Sequence, residues 1–205
     1  MAELPRCRLT TWREVDRWAD KLAGAVTDAN RVPDTLVALT RGGWVPARLL
    51  SDRLGVRRVV SVRAQHWGVT ATPSGRAEIT EGLSGAIQGE NVLLVDDITD
   101  TGESLELAAE KVGAAGPTRV ESATFLHITH SKFVPTYFAE EIARDAWVWI
   151  VFPWNYWEDL ATLAPQALKV AGDLPAAKAL LEERCGLKVP LSDLKRVTSL
   201  GSPVP

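Results

Sequence analysis

Three aspartates close an apolar run in "NVLLVDDITDTGES" (residues 91–104), and the residues among and after them are mostly small, hydroxylated or flexible. Asp96 and Asp97 are adjacent, and neighbouring carboxylates repel unless something positive or hydroxyl-bearing separates them. A divalent metal, a sugar diol and a structural Arg or Lys each meet that demand; the plain alternative is a pair of helix-capping acids. Asp100 follows, then Thr101, Gly102, Glu103 and Ser104. Thr101 and Ser104 supply hydroxyls, the turn supplies backbone N–H groups, and Gly102 allows a ligand to approach closely. A helix starting here would aim orphan N–H groups and its dipole at a phosphate. One stretch thus offers carboxylates for a diol or a metal, then a cradle for phosphate. A sugar phosphate has that polarity.

The flanking chain must carry this stretch at a strand end. "NVLLV" reads as a buried strand, and "ESLELAAEKVGAAG" as a helix that stops at glycines. Upstream, "TTWREVDRWADKLAGAVTDA" has Thr11 and Glu14 at capping-box spacing and an apolar stripe at helical period, which predicts a helix over 12–28. "DTLVALT" (34–40) reads as a buried strand ending in a tight "RGG" loop, "WVPARLLSDRLG" as a helix stopped at Gly55, and "VRRVVSVRA" (56–64) as a strand. "RVESATFLHI" and "AWVWIVF" are two more strands. Strands and helices alternate from about 34 to 128, an order that implies right-handed βαβ units and a parallel sheet covered on both faces. In such sheets ligands sit beyond the carboxyl ends of the strands. Residues 65–90, rich in Gly, Thr and Ser, read as a long mobile loop or a weak hairpin with "AEITE" as one arm. From Leu160 the text becomes Ala- and Leu-rich. "DLPAAKALLEERCG" and "PLSDLKRVTSLG" read as helices of an extension packed on the main domain.

The totals narrow the class. The chain has 205 residues and a net charge of −3, which suits one domain with a small appendage and speaks against a bulk nucleic-acid or anionic-membrane binder. No apolar run approaches the roughly 20 residues of a membrane span, and the N-terminus lacks the apolar centre of a signal peptide. Cys7 and Cys185 lie far apart without partners at metal-ligand spacing, and read as free thiols of a cytoplasmic protein. Four of the eight tryptophans, Trp147, Trp149, Trp154 and Trp157, fall within eleven residues.

The stretch "VLLVDDITDTGES" resembles the phosphoribosyl-pyrophosphate (PRPP) signature of the type I phosphoribosyltransferases: apolar residues, two acids, then a "DTGxS" turn. "VLLVDD" also opens response-regulator receiver domains, but there it stands near the start of the domain, and "DTGES" has no role. The resemblance implies an α/β, Rossmann-like fold with a flexible loop and a C-terminal helical extension. It divides the chain into a phosphoribosyltransferase domain at 1–158 and an extension at 159–205. It implies that Asp96 and Asp97 hold the ribose hydroxyls and help bind Mg²⁺, that Asp100 lies beside the reacting base nitrogen, and that Thr101, Gly102, Glu103 and Ser104 wrap the 5′-phosphate. "LTRGGWVPARLLSDRLG" is similar to the family's pyrophosphate loop, with Arg41, Gly42 and Gly43 as its binders. "WIVFPW" is similar to the base-binding strand of xanthine-guanine and archaeal purine enzymes. Trp149 is then the stacking aromatic and Ile150 the residue whose backbone reads the base edge. Trp147 and Trp157 are assigned instead to the core or to an oligomer interface.

Two positions depart from the family's pattern. The place of a lysine that contacts the purine 6-oxygen falls on Ile128, flanked by His127 and Thr129, with His130 and Lys132 nearby. The place of a carboxylate that reads the purine 2-position holds Asn155, with Glu158 and Asp159 further on. An amide both donates and accepts, so Asn155 suits a 2-oxo group. The resemblance implies a Mg²⁺-dependent purine-salvage transferase for xanthine, guanine or hypoxanthine, working as a cytoplasmic homodimer. Loop 65–90, with His66 and Arg76, would close over the reacting sugar. The alternative on the same scaffold is a PRPP-sensing regulator without catalysis. The acidic balance and lack of a basic stripe weigh against a nucleic-acid partner.

Overall fold

The computed structural model describes residues 4–66 and 77–199. The chain packs as two compact units, residues 13–147 and residues 1–12 together with 148–205. This grouping differs from a division at 158/159, because the strand at 149–151 and the helix that begins at Tyr156 pack with the C-terminal helices rather than before them.

The unit of residues 13–147 is built on a sheet of six strands among the described residues: β2 (Thr35–Thr40), β3 (Val59–His66), β4 (Ala77–Glu81), β5 (Asn91–Thr99), β6 (Arg119–Ile128) and β7 (Tyr137–Ile142). Their order is β4-β3-β2-β5-β6-β7; β4 runs antiparallel to β3 and the other pairs are parallel. Helices α2 (Trp44–Leu54) and α3 (Glu103–Gly113) supply the crossovers β2-α2-β3 and β5-α3-β6. The apolar run at 92–95 needs burial on both faces, which only helices on either side provide. On one face α3 sets Leu105, Ala108 and Val112 against Val37, Leu39, Val62 and Leu94. Helix α1 (Trp12–Asp28) keeps its expected bounds and buries Val15, Trp18, Ala19, Leu22, Ala23 and Val26. Within this unit the Trp18 indole stacks obliquely on Phe125 and donates to Glu140 Oε2 at 3.1 Å.

"AEITE" is indeed a hairpin arm, β4. The expected loop of 65–90 falls in part on residues 67–76, outside the described residues, and Arg76 lies there too. Strand β7 was not legible beforehand: "YFAEEI" carries too few apolar residues for an inner strand, and it sits at the sheet edge, where less burial is demanded.

The other unit joins β1 (Cys7–Leu9) to β8 (Trp149–Val151) in a parallel pair, with Cys7 opposite Trp149 and Leu9 opposite Val151. Behind it lie α4 (Tyr156–Ala171), α5 (Leu174–Leu180), a π turn at Leu181–Cys185 and α6 (Leu191–Ser199). Their core contains Val151, Leu160, Leu163, Ala164, Ala167, Leu181, Leu187 and Leu194. Asp173 caps α5 by accepting from the Ala176 amide at 2.8 Å. The two cysteines are not independent. The Cys7 thiol is pushed well above its ordinary range, first by a hydrogen bond with Cys185 and then by burial. "AWVWIVF" yields only a three-residue strand, because 144–146 form a 3₁₀ turn. No helix among the described residues is long and apolar enough to cross a membrane.

Candidate active site

The chain runs from β2 toward β3 on one side and from β5 toward β6 on the other, so the direction of winding reverses between β2 and β5. Crevices at such switch points are where open α/β sheets bind ligands. The two motifs sit at the carboxyl ends of these paired strands. Ala38 of β2 lies opposite Val95 of β5, which puts the 41–43 loop beside Asp97. The peptide bond before Arg41 is cis, and Arg41 itself is exposed. Gly42 and Gly43 are required by contact. A Cβ on Gly42 would stand 2.7 Å from both Asp97 carboxylate oxygens, and one on Gly43 only 2.2 Å from the Val95 carbonyl oxygen. Both lie inside the closest approach of real Cβ atoms.

Strand β5 does not stop before the acids, as the sequence suggested, but runs through them to Thr99. Successive residues of a strand project to opposite faces, so Asp96 and Asp97 leave on different sides. Asp97 is 6 % exposed and abuts the glycine loop; Asp96 is half-buried, and its Oδ1 accepts the Asp97 amide at 2.9 Å. Burial, and then the negative charge of Asp97, push the Asp96 carboxyl well above the usual carboxylate range, against the pull of that amide.

The turn at 100–102 leads into α3 as expected. Gly102 has φ +88°, a left-handed conformation that other residues adopt at a cost, and its carbonyl takes the Glu106 amide at 2.9 Å. The Glu103 amide reaches Thr101 Oγ1 at 3.4 Å. The crowding at Gly102 has a source that the sequence did not reveal. A Cβ there would lie 2.5 Å from Ser131 Oγ and 2.8 Å from Phe133. The segment after β6 thus presses on the turn, and the Lys132 amide donates to the Thr101 carbonyl at 3.2 Å.

That segment also carries the residues around the position where the resemblance implies a lysine. Ile128 is fully buried and His127 nearly so, against Phe138, where burial lowers the His127 imidazole pKa. Lys132 is exposed. His130 Nε2 lies 3.0 Å from Asp100 Oδ1. Trp147, expected in the core or an interface, is 38 % exposed, and its indole N–H donates to the same Oδ1 at 3.1 Å. Trp157 is exposed as well, with the Arg196 guanidinium 4.5 Å over its ring.

In the other unit, Trp149 is half-buried on β8 and its amide donates to the Arg6 carbonyl at 2.8 Å. Its indole N–H donates to Asp159 Oδ1 at 3.1 Å. Asp159, in the first turn of α4, is 6 % exposed. The sequence marks it only as a nearby acid; its place one turn into a helix after "PW" is the available signal. Ile150 is buried, and Asn155 precedes α4 half-buried, its carbonyl taking the Asp159 amide at 2.9 Å. Trp154 stacks on Phe152 at 4.8 Å and leans on Trp12.

Comparison with known proteins agrees with this fold. Residues 9–161 match the family described as phosphoribosyl transferase domain. A xanthine-guanine phosphoribosyltransferase of Gluconobacter oxydans is 28 % identical over 145 residues, 71 % of this chain and 82 % of that protein. The solved purine phosphoribosyltransferase of Pyrococcus horikoshii Ot3 superposes with a TM-score of 0.62 at 29 % identity, covering 72 % of this chain and 93 % of its own. The xanthine-guanine-hypoxanthine phosphoribosyltransferase of Helicobacter pylori, at 23 % identity, shares the fold, with a TM-score of 0.59 over 77 % of this chain and 98 % of its own. The sheet, its switch-point acids and the extent of the match lead to one conclusion: the chain belongs to the phosphoribosyl transferase domain family, with the type I fold.

Proposed function

We propose that the protein transfers the 5-phosphoribosyl group of PRPP to a 6-oxopurine, xanthine, guanine or hypoxanthine, and releases pyrophosphate, serving purine salvage in the cytoplasm as a homodimer. The observation that carries this reading is the pairing of Asp97 with the Gly42 loop at the β2/β5 switch point, one turn before the start of α3. The relatives named for purine and xanthine-guanine substrates support the choice of base.

Each group then has a task. The 41–43 loop receives pyrophosphate, with the Arg41 guanidinium countering its charge. Asp96 and Asp97 bind the ribose hydroxyls. They are also the oxygen donors that would hold Mg²⁺, Asp97 from beside the glycine loop and Asp96 from the other side of the strand tip, an arrangement that leaves most of the shell of such an ion to waters and substrate phosphates. When bound, Mg²⁺ neutralises charge on the leaving pyrophosphate. A carboxyl that burial and a like charge hold toward its protonated form, as at Asp96, gains most from such partners. The 5′-phosphate lies on Thr101, Gly102, Glu103 and Ser104 at the start of α3. Asp100 takes the proton that the purine nitrogen loses as the bond to C1 of the ribose forms. Trp149 stacks on the base, the Ile150 backbone reads its edge, and Asn155 tolerates a 2-oxo group.

A panel of purine and pyrimidine bases, assayed with PRPP and Mg²⁺ for nucleotide and pyrophosphate, tests this reading. Conversion of at least one 6-oxopurine is the expected result. Binding of PRPP with no base converted, together with nucleic-acid binding in a gel shift, would replace it by the regulator.

A further inference from the structure

The structure assigns to His130 and Trp147 the task of orienting the Asp100 carboxylate. Two ring nitrogens from separate parts of the chain converge on one oxygen. His130 Nε2 stands 3.0 Å from Asp100 Oδ1 and the Trp147 indole nitrogen 3.1 Å from it. The indole N–H donates a hydrogen bond to that oxygen, and the imidazole nitrogen stands at ion-pair distance from it. His130 comes from the segment after β6, whose neighbour Lys132 ties by its amide to the Thr101 carbonyl and whose Ser131 and Phe133 crowd Gly102. Trp147 follows the 3₁₀ turn at Arg144–Ala146, and the Arg144 amide is fixed by Thr129 Oγ1 at 2.9 Å. Both rings therefore sit in segments whose neighbouring residues are fixed by backbone contacts that do not involve Asp100.

The consequence is directional. An isolated Asp rotates about its terminal bond and offers either oxygen. With the indole hydrogen bond and the imidazole contact both on Oδ1, rotation costs both, and Oδ2 is the oxygen presented to a substrate nitrogen. Charge-assisted hydrogen bonds are also the stronger kind. Asp100 side-chain exposure is 41 %, so the bonds restrain it without removing it from solvent. His130 and Trp147 act through Asp100 and are positioning residues. This inference rests on the transfer reading for its kinetic consequence, and on the geometry alone for the pairing.

The test has two arms on the full-length protein. In proton–nitrogen spectra the Trp147 indole resonance is identified by its loss in Trp147→Phe. Asp100→Ala should move that resonance and the His130 ring resonance upfield; no movement of either overturns the pairing. In steady-state kinetics with the best base, His130→Ala should lower kcat about tenfold and leave KM for PRPP within about twofold. His130→Gln, which keeps a side-chain N–H, should recover most of the rate. In an Asp100→Asn background His130→Ala should cost nothing further, because there is no carboxylate left to orient. A rise in KM for PRPP with unchanged kcat, or full additivity of the two substitutions, overturns the positioning role. Thermal melts of each variant separate these results from loss of folding. If no base is converted, the transfer reading falls and the kinetic role with it, whereas the spectra still decide whether the two rings hold Asp100.

Discussion

The two units solve opposite problems with the same chemical pair. At the carboxyl end of β5, the acid Asp100 is the partly exposed group, and two rings, of His130 and Trp147, meet one of its oxygens. On β8 the ring of Trp149 is the group of interest, and a buried acid, Asp159, holds its N–H. In the first case two rings are spent to aim a carboxylate; in the second a carboxylate is spent to fix a flat apolar surface. An acid that must work on a ligand stays partly wet, while an acid that only steadies a ring can be buried with it. Burial of that kind raises the cost of breaking the bond.

The contrast can be broken in order of expected effect. Asp100→Asn should lower turnover on the order of 100- to 10,000-fold while leaving the affinity for PRPP, read by calorimetry, nearly unchanged; equal losses would mean that the acid binds rather than reacts. Gly102→Ala meets both the left-handed backbone and the crowding by Ser131 and Phe133. It should cost roughly 2–4 kcal/mol of stability in denaturant melts. Asp159→Ala strands the Trp149 N–H and should cost about 1–3 kcal/mol, with KM for the base rising and KM for PRPP unmoved. The opposite split would erase the difference between the units. Tyr156→Phe removes the 2.7 Å bond from the Tyr156 hydroxyl to Asp193 Oδ2, which joins α4 to α6; it should cost about 1 kcal/mol and leave kinetics alone.

The finest effect is on pH dependence. The folded chain raises the Asp96 pKa, so the folded state holds this proton more tightly than the unfolded chain does. The stability it contributes is complete below the ordinary carboxylate range and is lost as pH rises through the raised value. Asp96→Asn should therefore flatten part of the fall in Tm toward neutral pH in the ligand-free protein, and an unchanged slope would show Asp96 to be an ordinary surface acid.

What the sequence disclosed follows the same division. The β2 loop and the β5 turn were legible because their demands are local. Gly42, Gly43 and Gly102 mark places where a Cβ does not fit, and such places leave a mark within a few residues of chain. The periodicity of α1 and the alternation of strands and helices were legible for the same reason. The partners of Asp100 were not. His130 lies 30 residues from it and Trp147 lies 47, and nothing in either neighbourhood states which acid a ring will meet. The β1–β8 pairing, the meeting of Cys7 with Cys185 and the edge strand β7 were hidden likewise, since each is decided by packing across most of the chain. Helix α4 carries Pro165 within its length, which obscured an otherwise regular stripe.

The contact of Ser131, Lys132 and Phe133 with the turn at Thr101 and Gly102 has a practical meaning for anyone re-engineering this scaffold. The two stretches behave as one cast piece. Grafting 129–133 from a cousin with different tastes, without its matching 100–104, would import a misfit at the turn that opens α3. Swaps of both together should travel well, and swaps of either alone should not.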